Sequence, residues 1–130
     1  MVRQNSSQCP CESARIYEEC CGPFLAGMAA PTAEALMRSR YTAYVREDSE
    51  YLSKTWHPDH RPVDVEAGSG QKWLGLKIKR TEAGTEKDDT GVVEFVARFK
   101  IDGKGHRLHE TSQFVKENGR WYYTTGDLKT

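Results

Sequence analysis

All four cysteines of this 130-residue chain lie in one short segment, CPCESARIYEECC at residues 9–21. Their spacing is C-x-C-x8-C-C, formed by Cys9, Cys11, Cys20 and Cys21. Four thiolates can complete a tetrahedral shell around zinc. The ten residues from Cys11 to Cys21 suffice for a turn and a short helix that carry the second pair back to the first. The pattern therefore predicts a zinc-binding tip.

Other uses of clustered thiols compete with a metal site. Adjacent ligands such as Cys20 and Cys21 are unusual among common zinc fingers, whereas a redox pair usually reads C-x-x-C, which this sequence lacks. Disulfides would need an oxidising compartment. Because the N-terminus lacks the apolar stretch of a signal peptide, we expect a cytoplasmic protein with reduced thiols. Zinc is then favoured over redox or unliganded thiols.

The segment resembles the SEC-C motif, a small zinc module named for the C-terminus of the SecA translocation ATPase. The likeness lies in the C-P-C start, the central Ser13 and Tyr17, and the C-C end. It departs at Glu12 and Ala14, where glycine is common in such modules. The resemblance implies one structural zinc ion on the four cysteines and a protein partner that docks through the module.

Apolar periodicity predicts two helices after the cysteines. Thr32 is the expected N-cap of a helix over AEALMRSRYTAYVRE at residues 33–47. A shorter helix is expected over DSEYLSKTW at residues 48–56. The residues from Cys21 to Pro31 are punctuated by glycine and proline and predict a surface loop.

Alternating apolar residues then predict four strands. The clearest is GVVEFVARFKI, where alternate residues from Val93 to Ile101 face one way. The others are KWLGLKIKRTEAG, GHRLHETSQFVKE and RWYYTTG. In the first of these, Leu74, Leu76 and Ile78 alternate, which places them on the inward side together. Asp102-Gly103 begins a turn, and Asn118-Gly119 is a strong hairpin signal. Helices followed by a four-strand antiparallel meander indicate an α+β fold with helices on one face of the sheet.

This order of elements resembles the nuclear transport factor 2-like fold, a cone in which helices pack into a curved antiparallel sheet and can enclose a pocket. Six blocks also resemble the YchJ-type bacterial family: LMRSRYTAY, YLSKTWHP, WLGL, VEFVARF, LHETSQF and GRWYYTTG. The family likeness implies a SEC-C module over residues 1–24 and a nuclear transport factor 2-like domain over residues 25–130. It departs in the shortened loop at residues 59–70, and it implies no reaction.

The charges are balanced, with 19 Lys and Arg against 19 Asp and Glu. No net field therefore draws the chain to nucleic acid or to an anionic membrane, and no apolar run approaches the roughly 20 residues that span a bilayer. The basic run Lys77–Arg80 is expected to be a solvated strand face rather than a nucleic-acid stripe. RNA or ribosome association through Arg3, Arg15 and the zinc module is the weakest alternative.

Arg40, His57 and Glu110 are the candidate pocket residues. Arg40 falls on the apolar face of the first helix, and Glu110 on the apolar side of a strand. Because a buried carboxylate needs a partner, we expect a structural ion pair between the two. A pocket in which Arg40 grips an anionic ligand is the alternative. His57 is expected to contact carbonyls at a helix end, and His109 to be solvated or hydrogen-bonded on the other sheet face.

Five aromatic residues are expected in core or sheet packing rather than in a ligand wall: Trp56, Trp73, Trp121, Tyr122 and Tyr123. The sequence contains no P-loop, dinucleotide fingerprint, nucleophile elbow or H-E-x-x-H motif. The favoured function is a macromolecule- or ligand-binding module with a structural zinc site. An enzyme or small-molecule receptor built on the polar pocket is the main alternative, and the fold is compatible with a homodimer.

Overall fold

A computed structural model describes residues 8–65 and 70–128 of the chain. Within these residues, helices precede a four-stranded antiparallel sheet. The elements are a 3-10 helix Tyr17–Glu19, α1 Cys21–Leu25, α2 Ala33–Val45, α3 Ser49–Lys54, β1 Lys72–Ala83, β2 Thr90–Ile101, β3 Lys104–Glu117 and β4 Arg120–Leu128. The predicted α+β order is confirmed. Arg3 and part of the loop at residues 59–70 lie outside the described residues.

The sheet is a meander in the order β1-β2-β3-β4. Asn118 and Gly119 both have positive φ, at 54° and 80°, as a two-residue hairpin turn requires. In β2, Val93, Phe95 and Ala97 are buried and face the helices, as predicted. Phe114 of β3 and Trp121 of β4 complete the buried face of the sheet.

Helix α2 covers that face and begins where the sequence predicts. The hydroxyl of Thr32 accepts a hydrogen bond of 3.0 Å from the Ala35 N–H, which is an N-cap. Leu36, Met37 and Tyr41 are buried in the core shared with the sheet. No helix in the described part of the chain is both long and apolar enough to cross a membrane.

The first part of the segment after the cysteines is a helix, so the surface loop predicted there is wrong for residues 22–25, whereas residues 26–31 contain no helix or strand. Helix α1 contains Pro23, which a first helical turn tolerates because an N–H at that position has no intrahelical acceptor. The Ala26 N–H closes the helix on the Gly22 carbonyl at 3.0 Å. Since α1 spans the predicted domain boundary after residue 24, regular structure joins the cysteine segment to the larger domain.

Strand β1 departs from regular alternation. Its pairing with β2 shifts register between Trp73 and Gly75, as at a β-bulge, where one extra residue leaves the ladder. Leu74 occupies this position and is 47% exposed, so its predicted inward orientation is wrong. Trp73 packs inward instead, with its ring 5.6 Å from Tyr41 and 5.1 Å from Phe99.

Candidate metal centre and ligand cavity

The four cysteines meet in one buried cluster. Their sulfur atoms all lie within 4.8 Å of one another, and the most exposed of the four residues, Cys20, is only 8% exposed. All are free thiols, with the sulfurs of Cys11 and Cys20 3.6 Å apart. The cluster therefore has the donor set and the burial of a four-sulfur metal site.

Tight local structure brings the two cysteine pairs together. The Glu12 N–H donates to the Cys9 carbonyl over 3.2 Å, which closes a turn around the first pair. The 3-10 helix ends at Cys20, whose N–H donates to the Tyr17 carbonyl over 3.0 Å. Cys21 then begins α1. All four ligand positions thus depend on backbone geometry within a single short segment.

Glu12 and Ala14 occupy the left-handed backbone region, with φ of 68° and 71°. These are the two positions at which SEC-C modules commonly have glycine. An L-residue in this region costs roughly 1–2 kcal/mol, which glycine avoids because it has no Cβ. The turn of this chain therefore carries backbone strain beside its cysteines.

The thiols share hydrogen bonds that separate their pKa values. Bonds with Cys11 and then Cys21 lower the pKa of Cys9. The contact with Cys11, the contact with Cys9 and burial raise the pKa of Cys21. A bound cation would release the protons of the thiols, because metal ligands must be deprotonated.

Helix α2 supports the cluster from one side. The Arg38 Nη1 donates to the Cys11 carbonyl over 2.7 Å, and the Thr42 hydroxyl lies 3.6 Å from the Cys9 sulfur. Such outer contacts orient metal ligands and are part of a metal site's construction. The cysteines also belong to the same hydrophobic core as Leu36 and the sheet.

A cavity of about 240 Å³ lies between the helices and the inner face of the sheet. Arg40 and Glu110, two of the predicted pocket residues, both line it. Most of the remaining wall is apolar or aromatic, and it includes Met37, Tyr44, Trp56, Trp73, Phe95 and Leu108. A mostly apolar wall with a few polar groups is the usual composition of a ligand site.

Arg40 is a buried charge in this wall. Only 4% of the residue is exposed, and Nη1 donates to the Leu52 carbonyl at 2.9 Å and to the Thr55 hydroxyl at 2.7 Å. The guanidinium carbon lies 4.7 Å from the ring centre of Tyr123 and 5.2 Å from that of Trp56. Burial lowers the pKa of Arg40, although a guanidinium stays protonated in proteins.

Glu110 reaches the cavity from β3. Its Oε2 accepts hydrogen bonds from the Ser112 hydroxyl at 2.7 Å and from the Tyr123 hydroxyl at 3.1 Å. Gly126 on β4 leaves room for this carboxylate, because a Cβ at that position would overlap it. Burial, followed by the charge of Glu110, raises the pKa of Tyr123, so the phenol stays a donor.

The ion pair expected between Arg40 and Glu110 does not form. Among the described residues, none of the ion pairs within 4.0 Å includes Arg40. The two groups are instead linked by Tyr123, whose ring faces the guanidinium and whose hydroxyl binds the carboxylate. Each charge has neutral partners of its own, so the geometry supports the alternative in which both belong to a pocket wall.

His57, the third predicted pocket residue, lies outside the cavity lining. Its Nδ1 accepts from the Asp59 N–H at 3.1 Å, so Nε2 carries the proton and donates to Glu117 at 2.9 Å. The ring therefore binds a carboxylate of β3 rather than the helix-end carbonyls that we expected. His109 lies on the outer sheet face, where its Nε2 is 2.6 Å from a Glu94 oxygen.

Sequence reasoning missed several cavity residues. Trp56, Trp73 and Tyr123 were expected in core packing but line the cavity, whereas Trp121 is a core residue as expected, at 2% exposed. Ser112 did carry a usable signal, since it is a small polar residue two positions from Glu110 on the same apolar side of a strand. The aromatic residues carried none, because an aromatic side chain has the same periodicity in a core and in a ligand wall.

The chain was compared with known families and proteins. Residues 32–126 match the sequence model of the family described as YchJ, middle NTF2-like domain. A UPF0225 protein of Chromobacterium violaceum is 52% identical over 130 residues, which cover 95% of each chain. A UPF0225 protein of Bordetella pertussis is 52% identical over 126 residues, covering 93% of this chain and 92% of the relative.

Two solved structures share the fold. The solution structure of a SEC-C motif containing protein from Rhodopseudomonas palustris has a TM-score of 0.82 at 36% identity, covering 94% of this chain and 98% of that one. The crystal structure of a SEC-C motif containing protein from Psychrobacter arcticus has a TM-score of 0.77 at 30% identity, covering 96% and 85%. The predicted SEC-C and nuclear transport factor 2-like architecture is confirmed, and the chain belongs to the YchJ-type UPF0225 family.

Proposed function

We propose that this protein binds a small organic anion in the cavity of its nuclear transport factor 2-like domain, while its four cysteines hold one structural zinc ion. Arg40 carries the proposal, because it places a buried guanidinium with neutral hydrogen-bond partners at the wall of a cavity of about 240 Å³. Buried charges are normally paired. An anionic group of the ligand supplies the missing partner.

The size and the side chains of the cavity also indicate the size, polarity and charge of the rest of the ligand. Ligand pockets commonly measure about 300–1,000 Å³, so the cavity suits a molecule smaller than a typical drug. Trp73, Phe95 and Leu108 offer apolar surface to its body. Glu110 disfavours a second anionic group, because like charges at close distance repel each other. The ligand class is therefore a monoanion, such as a carboxylate, on an apolar or aromatic frame.

Zinc is the metal that best suits the cysteine cluster. Zn–S bonds of about 2.3 Å in a tetrahedral shell place the sulfurs about 3.8 Å apart, compared with 3.6 Å between Cys11 and Cys20. Four sulfur ligands leave no open coordination position, so the ion has a structural role. Reduced thiols also agree with the cytoplasmic location expected from the sequence.

Ligand binding is tested by titrating the protein with small aromatic carboxylates and with their uncharged amides, benzoate and benzamide being one such pair. Tryptophan fluorescence reports binding, since Trp56 and Trp73 line the cavity. We expect the carboxylates to bind about ten- to a hundredfold more tightly than the amides, because a hydrogen bond to a charged group contributes about 1.5–3 kcal/mol.

Arg40→Met should abolish this preference. The matched control is Arg46→Met, at the end of the same helix, where the guanidinium lies 4.5 Å from the Tyr17 ring and outside the cavity lining. The control should keep the preference. Equal binding of carboxylates and amides to the native protein, or a preference that survives in a folded Arg40→Met variant, would contradict the proposal.

Docking of a protein partner through the cysteine module stays a prediction. Because the cysteines are buried, the groups that the module offers to a partner are the exposed side chains Glu12, Arg15, Glu18 and Glu19. Charge reversal by Glu18→Lys and Glu19→Lys should remove a partner captured by the native chain. A partner that remains bound to this double variant would argue against docking through the acidic side of the module.

A further inference from the structure

We infer that the outer face of the sheet binds the phosphate backbone of a nucleic acid double helix. Six cationic side chains from β1, β2 and β3 form the surface, called here the cationic patch: Lys72, Lys77, Lys79, Arg98, Lys100 and Arg107. All six are exposed. The net charge of the whole chain is balanced and therefore does not indicate this cluster of cations. The cluster becomes apparent only when the strands are aligned in the sheet.

Strand register brings the cations together. Arg98 of β2 stands directly opposite Arg107 of β3, and Lys100 stands directly opposite Lys72 of β1. These pairs form adjacent rows on one face, about 7 Å apart along the strand. Lys77 and Lys79 line a shallow depression of about 100 Å³ together with Arg98 and Arg107. Gly75, also in its lining, has no side chain, and the Glu12 carboxylate lies 3.5 Å from the position that a Gly75 Cβ would take.

The cationic patch places like charges opposite each other on neighbouring strands, an arrangement that lowers the stability of the fold. Directly opposed like charges on neighbouring strands destabilise a sheet. Within the described residues, no side chain of the patch takes part in an ion pair of 4.0 Å or less. Two acidic residues lie nearby: Glu94 is already engaged by Arg80 and His109, and Glu12, whose carboxylate lies beside Gly75, forms no ion pair with a cation of the patch. The patch therefore presents cations without internal compensation.

Protection of the sheet edge does not account for this arrangement. Lysines on an edge strand such as β1 prevent unwanted strand pairing, which explains Lys72, Lys77 and Lys79. Arg98, however, lies on β2, where it is paired with β1 on one side and with β3 on the other. Arg107 lies on the part of β3 that precedes its first pair with β4, at Glu110, so edge protection can account for Arg107 but not for the arginine opposite it. Arg98 therefore calls for an anionic partner.

The surface suits phosphates better than an acidic protein. Protein interfaces gain most of their affinity from aromatic and apolar anchors and are depleted of lysine. Here Val96 is the apolar residue in the depression, and it is only 4% exposed, while the outward-facing Leu74 of β1 is a single apolar neighbour rather than a cluster of anchors. Single strands bind largely by stacking on aromatic side chains, and the depression has none. A double helix needs neither feature, because it offers about one negative charge per 1.7 Å of its axis.

The test is fluorescence anisotropy with a labelled RNA duplex and a DNA duplex of about 20 base pairs each. Because the contacts are to phosphates, both duplexes should bind alike, with an affinity that falls between about 50 and 200 mM salt. Four to five phosphate contacts give a log–log slope of about −4. Arg98→Gln with Arg107→Gln should weaken binding about tenfold and reduce the slope by about 2.

The matched control is Lys54→Gln with Lys87→Gln, which removes the same charge from exposed positions away from the patch; its affinity should stay within about twofold of the native value. Arg98→Glu adds a second readout, because it replaces two opposed arginines by an opposite-charge pair. Its melting temperature should equal or exceed the native value while duplex binding weakens about tenfold or more.

Several results would overturn the inference. They are the absence of duplex binding at about 50 mM salt, equal losses in the patch and control variants, and a lower melting temperature for Arg98→Glu. Polyglutamate that competes as well as the duplexes would assign the patch to an acidic protein. A dimer disrupted by Arg98→Glu, with no duplex bound, would assign it to a second copy of the chain.

Discussion

The cysteine cluster draws its four ligands from residues 9–21, whereas the cavity takes its lining from residues between Met37 and Tyr123. In the first region, two tight turns bring the ligands together. In the second, a helix and all four strands must be aligned before Arg40 and Glu110 face one space. A site built from one short segment can therefore be predicted from the spacing of its residues. A site built from distant residues depends on strand register and helix packing.

Helix α2 connects the two regions. Arg38 and Thr42 contact the cysteine segment, while Arg40, Tyr41 and Tyr44 line the cavity. Because these residues alternate along one helix, both regions pack against α2. The following experiments test how far each region depends on the other.

Loss of the metal should have the largest effect. Cys20→Ser should reduce zinc from about one ion per chain to none and lower the free energy of unfolding by several kcal/mol, because structural zinc contributes about 10 kcal/mol or more in zinc-finger peptides. Elemental analysis and chemical denaturation measure both quantities. The control is Ser13→Ala, which removes a hydroxyl 3.1 Å from the Cys20 sulfur without removing a ligand. Unchanged stability in metal-free Cys20→Ser would show that the cluster does not support α2.

Gly126→Ala should disturb the cavity alone. The new Cβ would overlap the Glu110 carboxylate, so we expect a destabilisation of about 1–3 kcal/mol, typical of overpacking, together with weaker ligand binding. Gly105→Ala is the control, since a Cβ there meets no atom within 4 Å. Retention of zinc by Gly126→Ala would confirm that the two regions are built independently. Equal stability of the two variants would contradict the close approach of Glu110 to β4.

Alkaline pH should weaken the contact between α2 and the sheet. Burial, followed by the charge of Glu12, raises the pKa of Tyr41 from 10.0 to about 12. The folded state binds the Tyr41 proton more tightly than the unfolded state does. The contribution of the protonated phenol to the free energy of unfolding is therefore complete below pH 10.0 and declines as the pH rises towards 12. Tyr41→Phe should move the alkaline unfolding midpoint to higher pH, as followed by circular dichroism. An identical midpoint in both proteins would exclude this role of Tyr41.

The smallest expected effect is a gain in stability at the cysteine turn. Ala14→Gly should raise the free energy of unfolding by about 1 kcal/mol, because it relieves a left-handed conformation with φ of 71°. Ala26→Gly is the matched control, since Ala26 is exposed with φ of −84°. It should lower stability by about 0.5–1 kcal/mol. A loss in both variants would mean that the turn carries no strain.

Most elements were predictable because their signals are local. The Thr32 cap, the Asn118-Gly119 hairpin and the alternation from Val93 to Ala97 each depend on neighbours within a few residues. The wrong predictions arose where the conformation of one element depends on its pairing or packing with another. Leu74 turns outward because β1 shifts register against β2, and the pairing partner is not visible in the sequence of β1.

The candidate site was predictable in part for the same reason. Arg40 and Glu110 were singled out because a charge on an apolar face is conspicuous in any sequence pattern. Whether they would form an ion pair depended on Tyr123, which lies 83 residues from Arg40 and inserts between the two charges. His57 was misplaced because its partner, Glu117, belongs to a distant strand.

The sequence by itself determined the cysteine cluster, the order of the elements and the identity of the charged residues on apolar faces, since each depends on spacing or on side-chain chemistry over a few positions. Only the tertiary structure decided that Arg40 and Glu110 border a cavity and that Arg98 opposes Arg107 on the outer face. Cavities and surface patches are made by residues far apart in the chain, and their positions are set by strand register and helix packing.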